Sequence, residues 1–311
     1  MQQLPGDLER RFRRSSVLRP WDPMKGGIWL VHEACDRVAP PLVLKLSIPS
    51  ESPERRVLEQ LGGGHPHWAV PKEFGDAEGW FYQVGEYFPM SGLNAQLLEY
   101  PNGLSPAWRL LLLRQTAAAL TALHALSIVH CDLKPSNILV RPATGSGWHY
   151  LIGDFDAAVL LDNGGGRLTR RYTPRYAAPE LLGGGTLTSA VDYWSLGMVL
   201  LECLLGHHPL EKLDERGIRT VLTTGWQPDF SRIEDTFWRA LLGGLLARNP
   251  GQRWGADQVA RALAGDLATL SEGLLLVGES ACAVPFHVAG IPVFSTEGLA
   301  RAILRQWEVI R

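Results

Sequence analysis

Between residues 130 and 137 the chain reads His-Cys-Asp-Leu-Lys-Pro-Ser-Asn. An imidazole, a carboxylate, an ammonium and a primary amide therefore fall within eight residues. Such groups accept or relay protons, neutralise anionic charge and offer oxygen to hard cations. Lys134 carries weight because only five of the 30 Lys and Arg residues are lysines: Lys25, Lys45, Lys72, Lys134 and Lys212. Further on, Ile152-Gly153-Asp154-Phe155-Asp156 sets two more carboxylates at the end of an apolar run.

The elements that must position these groups can be read from period and punctuation. Ser105–Leu126 is a long helix, with Trp108, Leu111, Leu112, Gln115, Ala119, Leu120 and Leu123 at helical spacing. It delivers the chain to residue 130, and the apolar strand Ile138–Val140 carries it away. Further helices are expected at Ser189–Leu205, Ile233–Ala247 and Ala256–Leu270. Upstream the pattern is strand-like. Ile28–Ala34 and Pro41–Ile48 form one pair, and Glu73–Phe74 with Trp80–Tyr87 form another. Between the pairs, Ser52 at an N-cap and Pro53 at N1 open a helix with Val57, Leu58 and Leu61 on its apolar stripe, ended by Gly62-Gly63-Gly64. Mostly strand followed by mostly helix predicts an α+β, bilobal protein with a cleft between a small β-rich lobe and a larger α-helical one. Residues 1–20, polar and Arg-rich, read as a loose arm or a short helix.

Composition narrows the classes. Hydrophobic residues at 46% and charged residues at 20% are globular values, which removes disorder and fibrous folds. A net charge of −2 argues against a nucleic-acid binder working through a broad basic surface. Cys35, Cys131, Cys203 and Cys282 lie far apart, without zinc-ligand spacing, and read as reduced thiols of a cytoplasmic protein. The basic N-terminus has no apolar run behind it, so no signal peptide is expected, and no stretch of about 18 uncharged apolar residues predicts a membrane span.

The segment HCDLKPSNIL resembles the catalytic loop HRDLKPxNIL of eukaryotic-type (Hanks-type) bacterial Ser/Thr protein kinases. The resemblance covers about residues 24 to 270 and implies the bilobal protein-kinase fold, ATP and Mg2+ as cofactors, and Ser/Thr transfer to protein substrates. It implies that Asp132 orients the acceptor hydroxyl and takes its proton, that Lys134 reaches the γ-phosphate, and that Asn137 and Asp154 hold magnesium. His130 is expected as a packed spine residue. Thr173-Pro174-Arg175-Tyr176-Ala177-Ala178-Pro179-Glu180 resembles the substrate-seating GTPxYxAPE segment, with Thr173 beside the acceptor. Asp192, in a DxWSxG-like helix start, would bind backbone N–H groups of the catalytic loop, and Arg253 would pair with Glu180 as scaffold. Val43-Leu44-Lys45 resembles the strand lysine that holds the α- and β-phosphates; Glu54 is its expected partner, with Glu51 and Glu59 as alternatives. Gly26, Gly27 and Val31 resemble the phosphate-covering loop GxGxFGxV. The Glu86 carbonyl and Phe88 N–H would pair with adenine, with Gly85 at the gatekeeper position and a pocket extending deeper than in most relatives.

Four residues depart from the family pattern: Met24 and Trp29 replace its first and third glycines, Asp156 replaces the glycine after Asp-Phe, and Cys131 replaces an arginine that commonly reads a phosphate on the activation loop. Phosphorylation at Thr169, next to Arg170 and Arg171, is thus not expected to be the on-switch. The expected boundaries are an arm at 1–20, a small lobe at 21–88, a large lobe at 89–270 and a short C-terminal α/β extension at 271–311. That extension is expected to hold strands at Leu274–Val277, Ala283–Val288 and Ile291–Phe294 and a helix at Glu297–Val309. Two other classes stay in view. The altered glycine loop and Asp156 would suit a pseudokinase serving as an ATP-binding or interaction module, against which Lys45, Asp132, Lys134, Asn137 and Asp154 all argue. An antibiotic- or choline-type small-molecule kinase would lack the substrate platform of Glu180, Asp192 and Arg253.

Overall fold

The computed structural model describes residues 4–36, 38–143, 147–161 and 171–276, with two short strands at 286–288 and 291–293. Helix α1 (Gly6–Arg11) leads into strands β1 (Phe12–Asp22), β2 (Gly26–Glu33) and β3 (Leu42–Ser47). Helix α2 (Arg55–Leu61), the two-residue β4 (Trp68–Ala69), β5 (Glu73–Ala77) and β6 (Trp80–Glu86) follow. Five of these strands form one antiparallel sheet in the order β1-β2-β3-β6-β5.

Residues 12–20 therefore belong to the sheet and are not a loose arm. Phe12 is the one buried residue of β1, so its sequence shows no alternation. Ladder pairing with β2 makes it an edge strand, with register shifts after Arg14, Val17 and Arg19.

Pairing register sorts the side chains of this sheet. Ile28 lies opposite Lys45 and Leu30 opposite Val43; across the next strand, Lys45 lies opposite Gln83 and Val43 opposite Gly85. Directly opposed residues share a face. Ile28, Leu30, Val43, Lys45, Gln83 and Gly85 thus line one face. On the other, Trp29, Val31, Leu42, Leu44, Leu46 and Val84 bury against Leu4, Leu8 and Phe12. At about 1.5–3 kcal/mol for each fully buried large apolar side chain, this second core is what seats α1 on the back of the sheet.

The larger lobe runs through α3 (Leu93–Glu99), α4 (Pro106–Ala125), β7 (Ile128–Val129), β8 (Ile138–Pro142), β9 (Trp148–Gly153) and β10 (Val159–Leu160). Helices α5 (Pro179–Leu182), α6 (Ala190–Leu205), α7 (Glu215–Thr224), α8 (Thr236–Leu245), α9 (Ala256–Leu263) and α10 (Leu267–Leu276) complete it. The Ser105 hydroxyl caps α4 by accepting from the Trp108 N–H. Helix α6 is apolar nearly all round and runs through the core, as such a helix must.

Three expected boundaries shift. The helix expected to have Ser52 as its N-cap and Pro53 as its first residue starts at Arg55, because Ser52 Oγ donates to the Pro49 carbonyl and closes a 3-10 turn. The helix expected over 256–270 is two: Gly265, at φ 78°, breaks it, and the Asp266 carboxylate caps α10 through the Ala268 and Thr269 N–H groups. Leu274–Leu276 is the end of α10 rather than a strand; a short apolar run carries no period by which to tell the two apart. Strands β11 (Phe286–Val288) and β12 (Ile291–Val293) pair antiparallel, near where two of the strands were expected. The expected helix at 297–309 lies outside the described residues. No helix among the described residues is long and apolar enough to cross a membrane.

Candidate active site

The loop from His130 to Asn137 lies between α4–β7 and β8 and is anchored from below by Asp192 in the first turn of α6. The Asp192 carboxylate accepts from the His130 N–H at 2.8 Å and the Cys131 N–H at 2.9 Å, and His124 Nε2 lies 2.8 Å from it. Burial works against ionising Asp192, but the His124 contact and these hydrogen bonds outweigh it and hold its carboxyl below the usual range. The same bonds hold Cys131 at φ 65°, a left-handed conformation that non-glycine residues avoid and that settles where surrounding contacts determine it. His130 is fully buried, with Nε2 at 3.1 Å from the Gly153 carbonyl and its ring beside Phe155, as expected of a packed spine residue.

Asp132 is the centre of a closed network. One carboxylate oxygen accepts from the Thr173 N–H at 2.7 Å, and the other accepts from Lys134 Nζ at 2.6 Å. Lys134 also donates to Thr173 Oγ1 at 2.8 Å. Asn137 Nδ2 donates to the Asp132 carbonyl at 2.9 Å, which turns its amide oxygen to the other side. Asp132, Lys134, Asn137 and Thr173, separated by up to 41 residues, are thus brought together as expected.

Lys45, on β3, reaches across to the segment that follows β9. Its Nζ lies 2.6 Å from Asp154 Oδ1 and 2.5 Å from Asp156 Oδ2. Burial disfavours the ammonium, yet the two carboxylates outweigh it and hold the Lys45 pKa above that of an ordinary lysine. Asp154 sits at φ 58°, a second left-handed non-glycine residue in the site. The expected partner Glu54 is not brought to Lys45. It is the N-cap residue of α2, and its ion pair is with Arg56, at 3.9 Å. The physical reason is the late start of α2, which leaves position 54 ahead of the helix instead of on its inward face.

The scaffold pair forms as expected. The Arg253 guanidinium, fully buried, meets Glu180 bidentately at 2.5 and 3.0 Å and also donates to the carbonyls of Ala190, Ala247 and Arg248. It lies 5.0 Å from the Trp194 ring centroid.

A profile of the protein kinase domain matches residues 47–262. The chain belongs to the protein kinase family. The chain is 35% identical to the serine/threonine-protein kinase PkaA of Streptomyces coelicolor over 51% of its own length and 30% of the relative's. It is 31% identical to PknD of Mycobacterium tuberculosis over 82% of its own length and 39% of the relative's. With human serine/threonine-protein kinase ULK1 it shares 30% identity over 66% of its own length and 20% of that chain. The chain thus spans from a fifth to two fifths of the length of these relatives. They bear out the resemblance to bacterial Ser/Thr protein kinases. The matched region begins just past Lys45, so the strands that depart most from the family pattern lie outside it.

Val31 faces away from Lys45, fully buried in the outer core, because strand alternation puts Ile28 and Leu30 on the cleft face instead. The glycines serve the hairpin itself. Gly26 has φ 80°, and a Cβ there would come within 2.0 Å of the Leu46 carbonyl; a Cβ on Gly27 would come within 2.6 Å of the Trp29 indole. Trp29 in turn lies beside Trp21, 6.0 Å between centroids with the rings tilted by 31°.

At the end of β6, where the hinge is expected, the Glu86 side chain accepts from Arg141 at 3.2 Å. Gly85 is on the cleft face, and a Cβ there would meet nothing nearer than Pro71 Cα at 3.8 Å. A side chain therefore fits, and its absence leaves space on that face of the sheet. We expect the parent to turn over both ATP and N6-benzyl-ATP, and Gly85→Met to retain turnover with ATP while N6-benzyl-ATP loses at least about tenfold in kcat/KM, since a steric clash on a packed face costs roughly 1–3 kcal/mol. Equal losses for both nucleotides would place the adenine elsewhere.

Asp156, Gln83, His124 and Arg171 are the site residues that sequence reasoning missed. Asp156 registered only as a departure from the family. Gln83 could have been found by placing β6 opposite Lys45 and counting in twos. Thr169 lies outside the described residues. The Cys131 thiol is buried, and its pKa is pushed well up by burial and by Asp192 and Asp132, which makes it an inert thiol.

Proposed function

We propose that this kinase transfers the γ-phosphoryl group of ATP to serine or threonine hydroxyls of protein substrates on the cytoplasmic side, where ATP is found. The observation that carries the reading is the Asp132–Lys134–Thr173 network. It fixes a carboxylate and an ammonium side by side, both tied to the segment that precedes Ala178-Pro179-Glu180.

Phosphoryl transfer asks the protein mainly to position two reactants and to neutralise charge. Asp132 would accept the proton of the acceptor hydroxyl, held in place by the Thr173 N–H. Lys134, 2.6 Å away, would turn from Thr173 Oγ1 toward the transferring phosphoryl oxygens. Lys45 would meet the α- and β-phosphates, and the Glu86 carbonyl and Phe88 N–H would take the adenine edge. An amide oxygen from Asn137 and a carboxylate from Asp154 suit Mg2+, which takes oxygen ligands and keeps room for phosphate and water. When bound there, the ion neutralises phosphate charge. The test is incubation with γ-labelled ATP and generic protein substrates, with and without magnesium, followed by phosphoamino-acid analysis. Label on serine or threonine is expected; tight nucleotide binding with no transfer would favour the pseudokinase reading.

Activity is expected without activation-loop phosphorylation. The Arg171 guanidinium donates to the carbonyls of Ser50 at 2.8 Å, Ser52 at 3.0 Å and Asp156 at 2.8 Å, tying the end of the loop to the small lobe. Tyr172 OH accepts from Arg219 at 2.9 Å, and Tyr176 OH donates to Glu202 at 2.7 Å. A surface pair between phosphate and arginine would add only about 0–1 kcal/mol to these contacts. Phosphatase-treated and Thr169→Ala proteins should keep activity within about fivefold of the untreated protein, the ratio that 1 kcal/mol corresponds to. Arg171→Met should lose at least about tenfold, since hydrogen bonds from a charged donor contribute roughly 1.5–3 kcal/mol each. A hundredfold loss on dephosphorylation would mean that another cation reads a phosphate.

A further inference from the structure

We propose that Asp156, steadied by Gln83, is the residue that positions Lys45 for the phosphates, in the place a glutamate of α2 would otherwise take. The inference rests on the phosphoryl-transfer reading for its purpose, but its geometry stands independently.

Both oxygens of Asp156 are engaged. Oδ2 lies 2.5 Å from Lys45 Nζ, and Oδ1 accepts from Gln83 Nε2 at 3.1 Å. Gln83 is the direct cross-strand partner of Lys45, so β3, β6 and the Asp154–Asp156 segment close a triangle around one ammonium. The side chains of Lys45 and Asp156 are 15% and 22% exposed, whereas that of Glu54 is 44% exposed and that of Asp154 41%. The two aspartates thus differ in what they can do. Asp154, the more open, can leave Lys45 for a cation; Asp156, boxed in by Lys45 and Gln83, cannot do so without breaking both contacts. Once Asp154 is engaged elsewhere, Asp156 remains to hold the lysine.

The departure at position 156 follows from the departure at α2. Where the helix begins at Arg55 and presents Val57, Leu58 and Leu61 to the core, no carboxylate of that helix faces Lys45. A charged ammonium this enclosed needs a partner, and the aspartate two residues past Asp154 supplies it.

The test uses the five lysines. With 15N-lysine labelling, the Lys45 ammonium is assigned by its loss in Lys45→Arg. In metal-free, nucleotide-free protein its resonance should shift in Asp156→Asn and Asp156→Gly and stay in place in Glu54→Gln. In the transfer assay, Asp156→Gly, which restores the family's own residue, should lose about ten- to a hundredfold in kcat, the scale of a misplaced positioning group. Gln83→Glu, placed opposite Lys45 in the Asp156→Gly background, should recover part of that loss; a merely structural Asp156 would give no such rescue. A Lys45 signal that moves with Glu54→Gln and not with Asp156→Asn overturns the proposal, as does an Asp156→Gly protein of undiminished kcat. If the wild type transfers no phosphate but the resonance behaves as described, the functional reading fails and the Asp156 anchor stands.

Discussion

Asp132→Asn is expected to lower phosphoryl transfer by about 10²–10⁴-fold, the usual contribution of a positioned general base. The substitution keeps the size and shape of the side chain and removes only its charge and its second acceptor oxygen. One amide oxygen can still accept from the Thr173 N–H or from Lys134, but not from both in their present places, 2.7 and 2.6 Å from opposite carboxylate oxygens. Lys134 retains Thr173 Oγ1 at 2.8 Å as a second acceptor, so the loop does not lose its tie to the Thr173 segment. The Asp192 anchor beneath the loop is untouched. Binding of ATP, which the proposed function assigns to Glu86, Phe88, Lys45, Asn137 and Asp154, should change by no more than a few-fold. The measurement is kcat against generic substrate together with nucleotide affinity by calorimetry. Turnover within a few-fold of the parent would remove Asp132 from the chemistry; a matched loss of ATP affinity would mean that the loop had collapsed.

The large lobe was legible because its segments repeat a helical period long enough to count, and because the residues bearing chemistry stand within one loop. His130 to Asn137 need only the local turn and Asp192 to come together. What failed to read were contacts set by where a short element begins. Pro49 and Ser52 close a 3-10 turn, α2 starts two residues later than Ser52 at an N-cap suggests, and Glu54 is left ahead of the helix. That small shift reassigns the partner of Lys45. Val31 failed for a related reason: in a strand, a slip of one residue exchanges faces, and the altered glycine loop fixes no register. Strand β1 could not be read at all, because an edge strand stabilised by its ladder leaves no mark in hydrophobic alternation.

Arg253→Met should be strongly destabilising. The guanidinium is fully buried and satisfies both oxygens of Glu180 and the carbonyls of Ala190, Ala247 and Arg248, which belong to or border helices α6 and α8. Methionine fills much of the same volume and replaces none of these donors. Glu180, with a side chain only 11% exposed, would be left as a buried charge without its cation. Breaking one side of such a pair costs about 3–5 kcal/mol, which corresponds to a fall in melting temperature of roughly 6–20 °C for a domain of this size. The double change Glu180→Gln with Arg253→Met removes the stranded charge and should be less destabilised than Arg253→Met alone, because much of the single-mutant penalty is the uncompensated carboxylate and not the lost attraction. Thermal unfolding of the parent, the two single variants and the double variant closes the cycle. A melting temperature for Arg253→Met within about 2 °C of the parent, the equivalent of roughly 1 kcal/mol or less, would show that water reaches Glu180 and that the pair is an ornament of the fold. A double variant no more stable than Arg253→Met would assign the loss to the three carbonyls instead.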